Sequence, residues 1–373
     1  MAKIKTVPED FVVKEVLKVP FRERGNYRVY ELTKVGLETE EAVRKIAKSS
    51  GIPSSEISYC GLKDKNAVTT QFIAVSSDKK LRQPQDKRIK LKEVGFLDRK
   101  LRPSLIKENK FSIKIRDVDL PDESRVKVIR YSFLPNYYGE QRFTSVRGEV
   151  FFAELLAKGL KEEALLYLFT PAGWEGSRDR KGKRAFLFGD YPEAIKYLVG
   201  WRRRIAEFMA RGGSLRKAFS LIPRRELEFQ VNVFQSFLFN EWLKEEVEKR
   251  FRQYLRFKYK VGFMFFPLEV KKGERMGGLE GRKGWEDWEG WEEVGIFHPE
   301  DSFTLYEKIL KRRGLSPSLF RSISYLFQKF NRLPFIKVKD FEVKKFEFGV
   351  KLSFSLPAGS YATNIVRFLY DAV

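Results

Sequence analysis

Asp64 is the residue of this chain best placed to do chemistry. It is the only carboxylate between Glu56 and Asp78, and lysines flank it in Gly61-Leu62-Lys63-Asp64-Lys65-Asn66. Nearby cations favour the ionised form of a carboxyl group, and an ionised, fixed aspartate can act as a nucleophile. A solvated Lys-Asp-Lys turn would carry the same residues, so this stretch alone leaves both readings open. Other chemistries are excluded by count. The chain has one cysteine, Cys60, and one histidine, His298. No intramolecular disulfide can form, and a Cys/His metal site of ordinary composition is ruled out. Nothing near His298 makes a triad. There is no G-x-x-x-x-G-K-(S/T) phosphate loop. No metal and no cofactor are expected.

The elements around Asp64 follow from local pattern. Tyr59 leads into the loop, and the β-branched run from Val68 to Val75 reads as a strand. The loop is expected to project Asp64 from the edge of a sheet. Upstream, Phe11–Val16 and Tyr27–Leu32 read as strands. Thr39 is expected to cap a helix with Glu40 and Glu41 in its first turn; Val43, Ile46 and Ala47 form its apolar face, and Gly51 ends it. Lys79 to Lys100 reads as a basic connection, and Phe111 to Arg116 alternates again. The expectation is an α+β fold around a mixed, mostly antiparallel sheet.

Beyond Val150 the character changes. Val150 to Leu168 is helical in composition, and Pro171 to Lys183 reads as a Gly-, Arg- and Lys-rich loop. A helix runs from Trp201 to Met209. Arg202, Arg203, Arg204, Arg216, Lys217, Arg224 and Arg225 suit either phosphate contact or a solvated face. Leu227 to Arg250 is the clearest helix. Tyr254 to Lys260 alternates basic and aromatic residues, as an RNA-binding strand or a buried antiparallel strand would. Gly273 to Gly295, with Trp285, Trp288 and Trp291, reads as a loop. Phe335 to Leu356 holds the last strands, and a terminal helix carries Ser360 at its start and Arg367 two turns on.

The whole chain of 373 residues carries a formal charge of +23, with hydrophobic residues at 43%. That composition gives a folded protein whose surplus of cations calls for a polyanionic partner. Nucleic acid leads. A membrane surface is second, but no apolar run is long enough to span a bilayer, and MAKIKTVPED lacks the core of a signal peptide. A cytoplasmic protein that is not membrane-bound is the expectation; the sequence leaves the oligomeric state open, with a monomer favoured.

Three motifs carry a family resemblance. Gly61 to Gln71 is similar to the G-x-K-D-x-x-A-x-T-x-Q signature of the TruD family of tRNA pseudouridine synthases. Pro135-Asn136-Tyr137-Tyr138-Gly139-Glu140-Gln141-Arg142-Phe143 resembles its P-N-Y-(F/Y)-G-x-Q-R-F motif, and Leu356 to Thr363 its L-P-x-G-S-Y-A-T ending. Weaker likenesses are Asp10 to Glu15, Asn109 to Arg116, and Gln235-Ser236 to Asn240, the last read as structural. Tyr138 stands where many members carry Phe, and Thr144 where Gly often follows. The resemblance implies a pseudouridine synthase core over 1–154 and 331–373, with an inserted family-specific domain over 155–330. It implies a tRNA substrate modified at uridine 13, a base flipped out of its stack, and Asp64 as nucleophile. Tyr138 would stack under the base, Asn136 orient the Asp64 loop, and Lys63 keep Asp64 ionised. Glu15, Gln141, Arg142, Ser360 and Arg367 are further expected substrate contacts. A non-catalytic RNA-binding protein on the same fold, or an Asp-dependent N-glycosylase, is the alternative.

Overall fold

The computed structural model describes residues 4–269, 292–301 and 304–371. They form two compact units: one takes the described residues up to Asn136, 267–269 and those from Phe335 on, and the other takes Tyr137–Phe266 and the described residues from 292 to Pro334. The predicted tryptophan loop from Gly273 lies almost wholly outside the described residues. Among the described residues, no helix is long and apolar enough to cross a membrane.

The first unit is built on β1 (Phe11–Leu17), β2 (Tyr27–Val35), α1 (Thr39–Ser50), β3 (Ser58–Tyr59), β4 (Val68–Ser76), β5 (Ile89–Leu97), β6 (Ile106–Arg116), α2 (Glu123–Tyr131) and β7 (Leu134–Pro135). After the second unit come β8 (Phe335–Ile336), β9 (Lys339–Phe346), β10 (Gly349–Pro357) and α3 (Ala362–Tyr370). The main sheet has the order β9-β10-β6-β1-β4-β2-β5, with β3 also on β4, while β7 and β8 make a separate pair. Only β1 and β4 run parallel; every other pairing in the main sheet is antiparallel. The α+β class and the mixed, mostly antiparallel sheet are as the pattern predicts.

Period-two alternation sorts the core. Tyr30 and Leu32 of β2 and Ile73 and Val75 of β4 pack with Val43, Ile46 and Ala47 of α1. Their neighbours in sequence, Val29, Phe72 and Ala74, join Cys60, Leu97 and Leu105 in a second cluster. Gly51 closes α1 at φ +68°, a left-handed conformation that glycine adopts without a Cβ penalty. Asp122 caps α2 by accepting from the backbone N–H groups of Ser124 and Arg125.

Three local expectations are corrected. Thr39 is the first residue of α1 rather than its cap, and the chain enters through Glu38; its hydroxyl is used elsewhere, as described below. The segment from Lys79 to Lys100 contains β5, whose Ile-Lys-Leu-Lys alternation puts lysines on the solvent side of the last strand on that edge, a common guard against edge-to-edge pairing. The Asp64 loop leaves an interior strand: β4 lies between β1 and β2, because Val12 to Lys14 pair with Val68 to Thr70 while β2 covers the other side.

The second unit is mainly helical, around a helix over Arg224–Arg250. A helix over Ser177–Leu187 begins inside the segment predicted as loop. Strands Tyr254–Tyr259 and Gly262–Pro267 pair with each other. Phe257 and Tyr259 are buried and Tyr254 stacks on Phe265, so these aromatics serve packing. His298 is buried, and burial holds its imidazole below the ordinary histidine range.

Candidate active site

Three side chains grip the backbone of the Asp64 loop. The Gln71 amide, fully buried on β4, donates through Nε2 to the Gly61 carbonyl at 3.1 Å. Its Oε1 accepts from the Thr39 hydroxyl at 3.0 Å, and that hydroxyl accepts from the Lys63 N–H at 3.0 Å. Lys34 of β2, also fully buried, donates from Nζ to the carbonyls of Leu37 (2.7 Å), Asp64 (2.8 Å) and Lys63 (3.3 Å). The Gly36 N–H donates to Ala67 at the end of the loop. These bonds fix a segment that carries few apolar side chains to hold it by packing.

The Asp64 carboxylate itself stays accessible, with 42% of its side chain exposed. Its cation is Lys5, whose Nζ lies 2.9 Å from Oδ2 and 4.1 Å from the centre of the Phe11 ring. Lys63 does not serve Asp64: its Nζ lies 2.6 Å from Glu15 Oε2. Glu15 is fully buried on β1, opposite Asn109 of β6, and a buried carboxylate takes the nearest cation within reach. Asp10 is buried as well. It accepts from Arg116 Nε at 3.0 Å and Nη2 at 2.7 Å and from the Val7 N–H, and the guanidinium holds its carboxyl below the usual range. The Asp10–Glu15 and Asn109–Arg116 segments are thus one structural assembly next to the loop.

The remaining predicted residues of the first unit lie beside β7 and in or beside α3. Asn136 is buried just after β7. The Ser360 hydroxyl oxygen is buried two residues before α3, whose N-terminal cap is Tyr361. Arg367 is buried within α3. Arg125 of α2 closes the end of that helix through the carbonyls of Phe368 and Leu369 and the Asp371 carboxylate.

In the second unit, the Tyr138 backbone is held by one side chain. Asn240 Oδ1 accepts from the Tyr138 N–H at 2.8 Å, and its Nδ2 donates to the Tyr138 carbonyl at 3.0 Å. The Tyr138 ring is 6% exposed, meets Phe239 edge-on, and has the Arg332 guanidinium 4.0 Å from its centre. Tyr137 is fully buried, its hydroxyl bonded to the Phe265 backbone. Arg142 donates to the Ser236 hydroxyl at 3.1 Å, and Gln141 is exposed. Gln235 donates to the carbonyls of Phe297 and Gln328. Arg204, Arg216 and Lys217 of the basic cluster are exposed, whereas Arg203 and Arg224 pair with Glu207 and Glu228.

Sequence reasoning missed Lys5, Lys34 and Thr39, and gave Gln71 no task. For Lys34 a signal was present. Tyr30, Leu32 and Lys34 alternate along one face of β2, so a lysine occupies a core position. Lys5 carries no local signal, since only tertiary folding brings it to Asp64.

Comparison with known proteins shows the family of the chain. The family model for tRNA pseudouridine synthase D (TruD) matches residues 1–258. A tRNA pseudouridine synthase D from Aquifex aeolicus is 30% identical over 393 residues, covering 99% of this chain and 98% of its own. A Methanococcus maripaludis protein of the same family name is 28% identical over 394 residues and covers 99% of each chain. The crystal structure of a Methanosarcina mazei protein, also of that family name, superposes with a TM-score of 0.68 at 22% identity, covering 100% of this chain and 94% of the other, a likeness of fold. The chain belongs to the tRNA pseudouridine synthase D (TruD) family, a family of isomerases.

Proposed function

We propose that this protein is a tRNA pseudouridine synthase that isomerises uridine 13 of tRNA, with Asp64 as the nucleophile. The observation that carries the reading is the contrast at Asp64. The backbone of its loop is fixed through Lys34, Thr39 and Gln71, while its carboxylate is exposed and paired with Lys5 alone among the bonds described above. A fixed backbone and an accessible charged side chain are what a positioned nucleophile needs.

The reaction breaks the N1–C1′ bond of uridine, turns the base, and joins C5 to C1′; the C5 proton leaves and N1 gains one, so atoms balance without an added reactant. Asp64 attacks C1′ or takes a proton at C2′. A uridine inside folded RNA must be unstacked first. Tyr138, Asn136, Gln141 and Arg142 are the residues we assign to the flipped base and its flanking phosphates, with Ser360 and Arg367 as further contacts. Glu15 and Lys63 act beneath the loop as a supporting ion pair, which suits their burial. The +23 charge supplies affinity independent of sequence.

The test is treatment of an unmodified tRNA transcript followed by carbodiimide mapping. One modified site at position 13, lost in Asp64→Asn, is expected. Product formed by Asp64→Asn at the wild-type rate removes Asp64 as nucleophile. Free uracil in the supernatant would favour glycosylase chemistry, and tight binding without modification an RNA-binding role.

A further inference from the structure

A lysine ammonium has three N–H donors and no acceptor capacity. Lys34 uses all three on backbone carbonyls, two of them belonging to Lys63 and Asp64 and the third to Leu37. It joins the turn that enters α1 to the loop that carries Asp64, and it does so from a fully buried position on β2. Thr69 of β4 and Ile89 of β5 flank it in the sheet. Among the described residues, no carboxylate oxygen bonds to it. The charged groups that face it are Asp64 and Lys63 from the loop and Glu38 from the turn before α1.

A buried cation with only carbonyl partners is an expensive way to hold a loop. A neutral amide would bond two carbonyls at no Coulombic cost. What the ammonium adds is a third donor on a flexible four-carbon stem and a fixed positive charge behind the Asp64 backbone. We propose that Lys34 is a positioning residue for the Asp64 reaction: its charged head sets the loop conformation that presents the carboxylate and stabilises the negative charge there. This rests on the reading of Asp64 as nucleophile. Burial pulls the ammonium down to about 8, with the Asp64 charge opposing that shift. Above that pH the head becomes a neutral amine with two donors, one carbonyl is left unmatched, and the charge behind Asp64 is gone.

The experiment measures single-turnover modification of tRNA transcript and tRNA affinity separately, from pH 6.5 to 9.5, for wild type, Lys34→Met, Lys34→Gln and Asp64→Asn. Lys34→Met is expected to slow the single-turnover step by about 10²-fold, as for an ångström-scale misplacement, with affinity changed less than about twofold. The wild-type rate is expected to fall as pH rises through about 8, and this fall is expected to be absent from Lys34→Gln, which should be slow throughout. Lys34→Met at the wild-type rate, or a loss confined to affinity, overturns the proposal. If Lys34→Met does not fold, Lys34→Gln decides: a wild-type rate at pH 7 overturns the proposal, and a slow, pH-independent rate supports it. An active Asp64→Asn enzyme would sink the reading of the nucleophile instead. An inactive Asp64→Asn beside an unimpaired Lys34→Met would sink only the role of Lys34.

Discussion

Removing the Thr39 hydroxyl tests the grip on the Asp64 loop most directly. That hydroxyl is buried, donates to Gln71 and accepts from the Lys63 N–H. Thr39→Val keeps the shape and deletes both bonds, leaving the Gln71 Oε1 and the Lys63 N–H unmatched. Each such buried group costs about 1–3 kcal/mol. The Lys63 N–H is only partly buried and belongs at the low end, so a loss of about 2–4 kcal/mol is expected. Gln71→Leu deletes the bond to the Gly61 carbonyl and the acceptor for Thr39, for a similar loss. The two variants share the Thr39–Gln71 bond, so the double variant should be about 1 kcal/mol less destabilised than the sum of the singles, within the range for side chains in one network. Urea unfolding with unchanged m-values reads these differences. The single variants should also slow the single-turnover step about tenfold at unchanged tRNA affinity, because the loop loses its register. Strict additivity, within about 0.3 kcal/mol, would refute the relay. A destabilised Thr39→Val protein with full catalytic rate would show that the relay serves stability and not the nucleophile.

Two further outcomes follow from buried carboxylates. Lys63→Met leaves the fully buried Glu15 without its cation, a loss of about 3–5 kcal/mol for a broken buried pair. Glu15→Gln/Lys63→Met should recover much of the loss, because the unpaired buried charge is removed; urea midpoints decide it. Asp10 has its carboxyl held down by Arg116, so its contribution is complete above the ordinary aspartate range and is lost as pH falls through the depressed value. Asp10→Asn should cost about 2–3 kcal/mol at pH 7, less than a fully buried pair because Arg116 keeps some access to water, and thermal unfolding should show the gap to wild type closing below about pH 4. An unchanged gap down to pH 2 would refute the assignment.

The residue types and their order were enough to identify the α+β class, the family and Asp64 as the candidate nucleophile. Alternation in β1, β2 and β6 and the apolar stripe of α1 write the local structure directly, since side-chain direction has a fixed period in strand and helix. The Gly61–Gln71 motif is contiguous, so its acid could be read without knowing what surrounds it. The partners of that acid could not. Lys63 is the adjacent lysine in sequence, yet the folded loop turns its side chain to buried Glu15, and Lys5, 59 residues away, takes its place at Asp64. Thr39 looked like a cap because caps are judged from local sequence, but its hydroxyl met the Lys63 N–H and Gln71 only once β4 lay beside α1. The alternation of Tyr30, Leu32 and Lys34 puts a lysine on the core face of β2, but which carbonyls it meets was not legible before the sheet closed around it. Local rules decide which elements form; which buried donor meets which carbonyl is decided by packing between segments distant in the chain, because desolvation makes every unmatched polar group there costly.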